Sequence, residues 1–191
     1  MKNFYSLHSN GYIEATKHCD MSVQYNLFEE QLEENAHCIL DLGFGSGRDS
    51  LYFSRKYEVY GVDITKEFCE HAKSLGLKNI YHMRAQDLNF VDQFDGIWAC
   101  ASLLHIPSCE LLDVFKRCYR ALKEKGVLYC SFKYGDFEGY CNDRYFTDMN
   151  MERFKSLIAP TSFEIVKECI TLDVRPERDE KWLNIVLKKI I

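Results

Sequence analysis

The 191 residues carry 24 Lys and Arg against 29 Asp and Glu, a formal charge of −5 that offers no global attraction to nucleic acid or to an anionic membrane. An apolar fraction of 47% is enough for one buried core, yet no apolar run approaches the roughly 20 residues that span a bilayer. Nine cysteines, an odd number with no CxxC pair, read as reduced thiols; with the polar start MKNFYSLHSNGY, which lacks a signal-peptide pattern, they make a cytoplasmic protein the expectation.

In chain order, residues 1–37 are expected to form an N-terminal helical segment within a single domain spanning 1–191. Its second half is helical because Val23, Leu27, Phe28 and Leu32 recur at helical spacing. The stretch HSNGYIEATKHCDMSVQY can fold as a lid, with Tyr12 and Tyr25 as cover residues. His18 and Cys19 are adjacent rather than a helical turn apart, so no metal site is expected. A buried strand at 38–42 enters a glycine-rich turn, and RDSLYFSRKY after it reads as a helix. There follow a strand at 58–62, a helix at 66–75, strands at 80–84 and 94–100, a helix at 108–122 and a strand at 126–132. This alternation of strand and helix periods predicts a mostly parallel sheet covered by helices on both faces. A helix at 149–157 leads to β-rich segments at 163–171 and 182–191. The link between these is about ten residues, too short for a parallel crossover of a dozen or more, so an antiparallel pair closes the sheet.

The chemistry concentrates at LDLGFGSGRDS. Gly43, Gly45 and Gly47 alternate directly after the strand, where glycine permits unusual dihedrals and close approach of a ligand to the backbone, and where N–H groups at the next helix start can donate to an anion. The dinucleotide fingerprint needs a third glycine at offset 5; from Gly43 that place is Arg48, and the glycine falls at offset 4. Asp63 follows the second predicted strand, 20 residues after Gly43, where a carboxylate accepts two ribose hydroxyls or caps the next helix. Asp87, in RAQDLNF, is placed to accept from an adenine amine or to be an ordinary loop acid.

Taken together, ILDLGFGSGRDS, EVYGVDIT, MRAQDLNF, FDGIWACASLLHIP and ALKEKGVLYCSF resemble the class I S-adenosylmethionine-dependent methyltransferases, and among them small-molecule or tellurite-resistance-like domains. The resemblance implies a Rossmann-like α/β three-layer sandwich whose mostly parallel seven-stranded sheet ends in an antiparallel strand. It implies S-adenosylmethionine as cofactor and S-adenosylhomocysteine as product. Asp41 would support the glycine loop near the methionine amino group, with Gly43, Gly45 and Gly47 as the backbone cradle. Asp63 with the adjoining Ile64 would meet the ribose, Asp87 with Leu88 the adenine, and Ala99 to Ala101 the edge that opens to the methyl donor. Tyr12 would cover the cofactor. Phe44 stands where the family commonly has a cysteine, an apolar ring expected beside the cofactor.

Methyl transfer depends largely on orientation and exclusion of water, so no base is obligatory. His105, in SLLHIP beyond the fourth predicted strand, is the candidate catalytic base, with a helix-start or core-supporting role as the rival. The segment KYGDFEGYCNDRYFTDM supplies a candidate substrate wall: Tyr134 and Tyr145 as hydroxyl-bearing rings, Arg144 as a planar donor fork for an anion. Asp173, Arg175, Arg178 and Trp182 are expected to border the same crevice. The expected acceptor is a small molecule, an anionic one included, with neither nucleic acid nor membrane as partner. The alternatives are a nucleic-acid or protein methyltransferase, disfavoured because ACAS replaces a DPPY-like motif, and a noncatalytic cofactor-binding module.

Overall fold

The computed structural model describes residues 4–190. In chain order its elements are α1 (Phe4–Thr16), α2 (Ser22–Glu29), β1 (Cys38–Leu42), α3 (Arg48–Phe53), β2 (Glu58–Asp63), α4 (Lys66–Ser74), β3 (Asn79–His82) and β4 (Phe94–Ala99). Then come α5 (Ser108–Ala121), β5 (Leu122–Lys133), β6 (Glu138–Cys141), β7 (Arg144–Thr147), α6 (Met151–Ile158), β8 (Phe163–Leu172) and β9 (Lys181–Lys189). Seven strands form one sheet in the order β3-β2-β1-β4-β5-β9-β8. Pairing is parallel from β3 through β5, while β9 runs antiparallel to both β5 and β8. The expected α/β sandwich with its reversed C-terminal strand is therefore present.

Strand periodicity sorts the core onto two faces. Ile39, Trp98, Val127 and Tyr129 join the cluster under α2 and α3, while their neighbours Leu40, Ile97, Leu128 and Cys130 join the one under α5 and α6. α5 buries Leu111, Val114, Phe115 and Cys118 at helical spacing. Trp98 stacks on Tyr129 with centroids 4.1 Å apart, and its indole N–H donates to Asp49 at 2.9 Å, so the large buried ring leaves no polar atom unpaired.

Residues 4–16 are helical, broken at His8. Two elements differ from the sequence expectation. The helix expected at 48–57 ends at Phe53, where 3₁₀-type bonds from Arg55 and Lys56 tighten the chain into β2. The substrate-wall segment contains a hairpin, β6–β7, whose two linking residues Asn142 and Asp143 both have positive φ, 49° and 60°. This is the primed two-residue turn that asparagine and aspartate favour, and EGYC-ND-RYFT was its signal. No described helix is long and apolar enough to cross a membrane.

Candidate active site

The C-terminal ends of β1, β2 and β4 open into a cavity of about 290 Å³. Gly43 and Gly45 line it with φ of 80° and 53°, in the left-handed region. A Cβ on Gly43 would stand 2.3 Å from the Ser102 Cβ, and one on Gly45 would stand 3.0 Å from the Tyr12 ring, so the turn fits only without side chains. Gly47 does not reach the cavity; it begins α3 against Leu75 and Leu77.

Asp63, at the end of β2, is buried in the same wall. Its Oδ2 accepts from the Gly45 N–H at 3.0 Å and its Oδ1 from the Thr65 N–H at 2.8 Å. Two backbone donors use about half of the roughly four lone-pair sites of a carboxylate, leaving capacity for a vicinal diol. Burial raises its pKa, and the bonds from Thr65 and Gly45 oppose that rise. Ile64, Met83 and Ala85 add apolar surface beside it.

Besides Gly47, five cofactor residues expected from sequence lie outside the cavity wall: Asp41, Phe44, Asp87, Leu88 and Ala99. Asp87 chelates Arg84 at 2.8 and 2.9 Å on the exposed side of its turn, and Leu88 is fully buried in the core; residues 83–86 line the cavity in their place. Ala99 is likewise buried within β4, and the wall is made by Ala101 and Ser102 beyond it. Ala101, at φ 49°, is held by its N–H donating to Ser131 Oγ. Phe44 points away from the cavity and wedges against Phe68, Cys69 and Ala72 of α4 with Ile13 of α1, because its ring is apolar and α4 offers an apolar face. Asp41 lies beneath the turn and accepts the Ser50 hydroxyl at 2.6 Å; burial and the nearby Asp49 carboxylate hold it well above the ordinary carboxyl range. It supports the α3 start from below. Tyr25 also packs inside, stacked on Tyr52 and donating to Asp49, so of the two expected cover residues only Tyr12 reaches the cavity.

A second cavity, about 120 Å³, lies over the ends of β5 and β9. Tyr5, Tyr12, Ala101, His105 and Arg144 border both cavities and so stand at the boundary between them. His105 has both ring nitrogens engaged: Nδ1 with the Tyr145 carbonyl at 2.7 Å and Nε2 with Tyr5 Oη at 2.7 Å. A carbonyl only accepts, so Nδ1 carries the proton and Nε2 accepts from the Tyr5 phenol. Burial lowers the His105 pKa to about 4, against the bond from the Tyr145 carbonyl, which raises it; the imidazole is neutral at physiological pH. Tyr5 is pushed upward by burial and pulled back by Arg144.

Arg144 reaches the boundary of the two cavities from the start of β7, its guanidinium 4.7 Å from the Phe4 ring and 4.9 Å from the Phe146 ring. Tyr145 lines the first cavity, and its hydroxyl donates to Glu138. Arg175 and Trp182 line the second cavity, both bonded to Asp173, at 2.8 Å from Arg175 Nη2 and 3.1 Å from Trp182 Nε1. The antiparallel turn thus brings the 173–182 segment to the second cavity, and none of its residues lines the first, where the cofactor was expected. Tyr134 does not join: it is exposed outside both cavities, where its N–H donates to the Lys181 carbonyl and ties β5 to β9. Tyr5 is the residue that sequence reasoning missed. Tyr5 and Tyr12, seven apart and hence on one helix face, were its only signal.

Residues 39–126 match the family model of a methyltransferase domain. Among curated proteins, the chain is 27% identical to phosphoethanolamine N-methyltransferase of Plasmodium falciparum over 83% of its own length and 62% of the relative's. It is 28% identical to tRNA (guanine-N(7)-)-methyltransferase of Campylobacter fetus over 76% of its own length and 38% of the relative's. The chain therefore spans less than two thirds of the curated relatives it matches. Among solved structures, 1,6-didemethyltoxoflavin-N1-methyltransferase of Burkholderia thailandensis, with its substrate and S-adenosylhomocysteine bound, superposes with a TM-score of 0.79 at 21% identity, covering 97% of this chain and 84% of that one. The fold is that of the class I S-adenosylmethionine-dependent methyltransferases.

Proposed function

We propose that this protein transfers the methyl group of S-adenosylmethionine to a small-molecule acceptor and releases S-adenosylhomocysteine. The observation that supports the reading is the adjacency of two cavities that share Tyr5, Tyr12, Ala101, His105 and Arg144, the first read as the nucleoside site and the second as the acceptor site. The fit to the cofactor rests on the side-chain-free cradle at Gly43 and Gly45, the spare acceptor capacity of buried Asp63 and the apolar strip of Ile64, Met83 and Ala85. When bound there, the cofactor supplies an electrophilic methyl group.

The chain's own contribution is orientation, dryness and a proton path. α1 places Tyr5 and Tyr12 over the boundary of the two cavities, where their rings limit the access of water to the reacting centre. Tyr5 donates to His105 Nε2 and accepts from Arg144, which leaves one lone pair of its Oη for an N–H or O–H of the acceptor. As the acceptor's nucleophile attacks, its proton passes to Tyr5 Oη while the Tyr5 proton moves to His105 Nε2, and the imidazole, whose neutral form is favoured, releases the proton to solvent. His105 thus acts on the acceptor through Tyr5, and the Tyr145 carbonyl fixes the tautomer that permits this.

A small acceptor suits a cavity of about 120 Å³ with cations in its lining, whereas RNA would need a long basic track. The tRNA-modifying relative makes RNA the comparison substrate of choice. The test is calorimetric titration with S-adenosylhomocysteine, followed by mass-spectrometric detection of methyl transfer to a panel of small amines, carboxylates and phosphates beside bulk tRNA. Folded protein that does not bind S-adenosylhomocysteine overturns the cofactor reading; transfer to tRNA alone overturns the acceptor reading.

A further inference from the structure

Resting on that reading, we propose that the acceptor carries an oxyanion, a carboxylate or a phosphate, and that Arg144 is the residue that holds it. Five cations line the second cavity: Arg48, Lys133, Arg144, Arg175 and Arg178. Their bonded carboxylates are three: Asp49 on Arg48, Asp173 on Arg175, and Glu180 shared between Lys133 at 3.3 Å and Arg178 at 3.8 Å. Among the described residues the lining cations thus outnumber their directly bonded carboxylates by two, in a protein whose net charge is −5.

The excess is focused on Arg144, which makes no ion pair among the described residues. Among the described residues its Nε is shielded from solvent and has no hydrogen-bond partner, while the guanidinium also bonds Tyr5. A buried donor on a charged group is costly to leave unmade, so the site is incomplete without an acceptor atom. The flanking rings of Phe4 and Phe146 hold the guanidinium by cation–π contact and limit its rotation, which leaves the planar fork preorganised for a bidentate oxyanion. Position adds direction. Arg144 stands beside Tyr5 at the junction of the cavities, so an acceptor anchored by its oxyanion presents its nucleophile within a few bonds of the anchor, next to the phenol that receives the proton.

Inorganic phosphate and acetate are the probes, titrated calorimetrically into full-length protein saturated with S-adenosylhomocysteine. The expected result is millimolar binding of at least one anion, weakened tenfold or more in Arg144→Gln, with S-adenosylhomocysteine affinity changed less than threefold. Tighter phosphate than acetate assigns a phosphate-bearing acceptor, and the reverse assigns a carboxylate. Arg144→Lys keeps the charge without the fork and is expected to lose threefold to tenfold; it stands in should the glutamine variant fail to fold. Wild-type protein that binds neither anion, or variants that bind as wild type does, overturns the proposal. Anion binding by protein that does not take S-adenosylhomocysteine would instead overturn the methyltransferase reading and leave the anion site standing.

Discussion

At the glycine turn the cavity wall is mainly backbone from one short segment, Gly43 to Gly45, backed by Asp63 at the next strand end. Across the crevice the wall is side chains from four separate stretches, led by Tyr5, His105, Arg144 and Arg175. A backbone wall is set by local dihedrals and tolerates no added atoms, whereas a side-chain wall depends on long-range packing and can vary residue by residue. The largest expected effect therefore belongs to Gly43→Ala. Its Cβ would overlap Ser102 at 2.3 Å, and the positive φ adds roughly 1–2 kcal/mol of strain. S-adenosylhomocysteine affinity should fall about a hundredfold or more by calorimetry. Gly76 shares the positive φ but has nothing within 4 Å of a Cβ, so Gly76→Ala should cost about 1 kcal/mol of stability and leave affinity unchanged. Equal losses of affinity in both variants would show that strain alone, not the cradle, governs the site.

The side-chain wall is probed by Tyr5→Phe, which keeps the ring against Tyr12 and Phe68 and removes only the oxygen between His105 and the acceptor. Turnover should drop on the order of a hundredfold, within the usual range for a lost acid–base group, with cofactor affinity within threefold of wild type. Unchanged turnover would reduce Tyr5 to a roof residue.

That division also explains what the sequence made legible. Glycine spacing, the Asp63 position and the alternating apolar runs are local signals, and each maps to a strand end or a core face. The reversed strand at residues 181–189 was readable because chain length limits a crossover. Tyr5 reaches His105 across 100 residues, and no local pattern encodes that bond. Asp87, Leu88, Ala99 and Phe44 share another cause. The motif fixed their place in the chain, but a shift of one or two positions along a turn decides whether a side chain faces the cavity, the core or solvent.

A smaller effect separates the tautomer argument from simple packing. Folded His105 has its pKa lowered to about 4, below the roughly 6.5 of an unfolded histidine, so the unfolded chain binds more protons between those values. Stability from this group is full above about pH 6.5 and is lost as pH falls toward 4, a contribution of about 2 kcal/mol after allowance for its partial exposure. His105→Gln supplies an amide to the Tyr145 carbonyl and an oxygen to Tyr5 but does not titrate. Its melting temperature should fall less than that of wild type between pH 6.5 and pH 4. Parallel profiles would mean that the imidazole is not held neutral.

The smallest effect is expected at Asp87, where motif and geometry disagree. The family resemblance gives this carboxylate an adenine amine, and its removal would then cost tenfold or more in cofactor affinity. In the structure both oxygens are taken by Arg84, with the pair about half exposed, and an exposed ion pair is worth only about 0–1 kcal/mol. Asp87→Ala should therefore change S-adenosylhomocysteine affinity less than threefold, because the neighbouring cavity wall is built by Met83, Ala85 and Gln86. A tenfold loss would instead mean that the carboxylate exchanges Arg84 for the nucleoside on binding. The backbone-built side of the crevice would then also contain a side chain that must move to complete it.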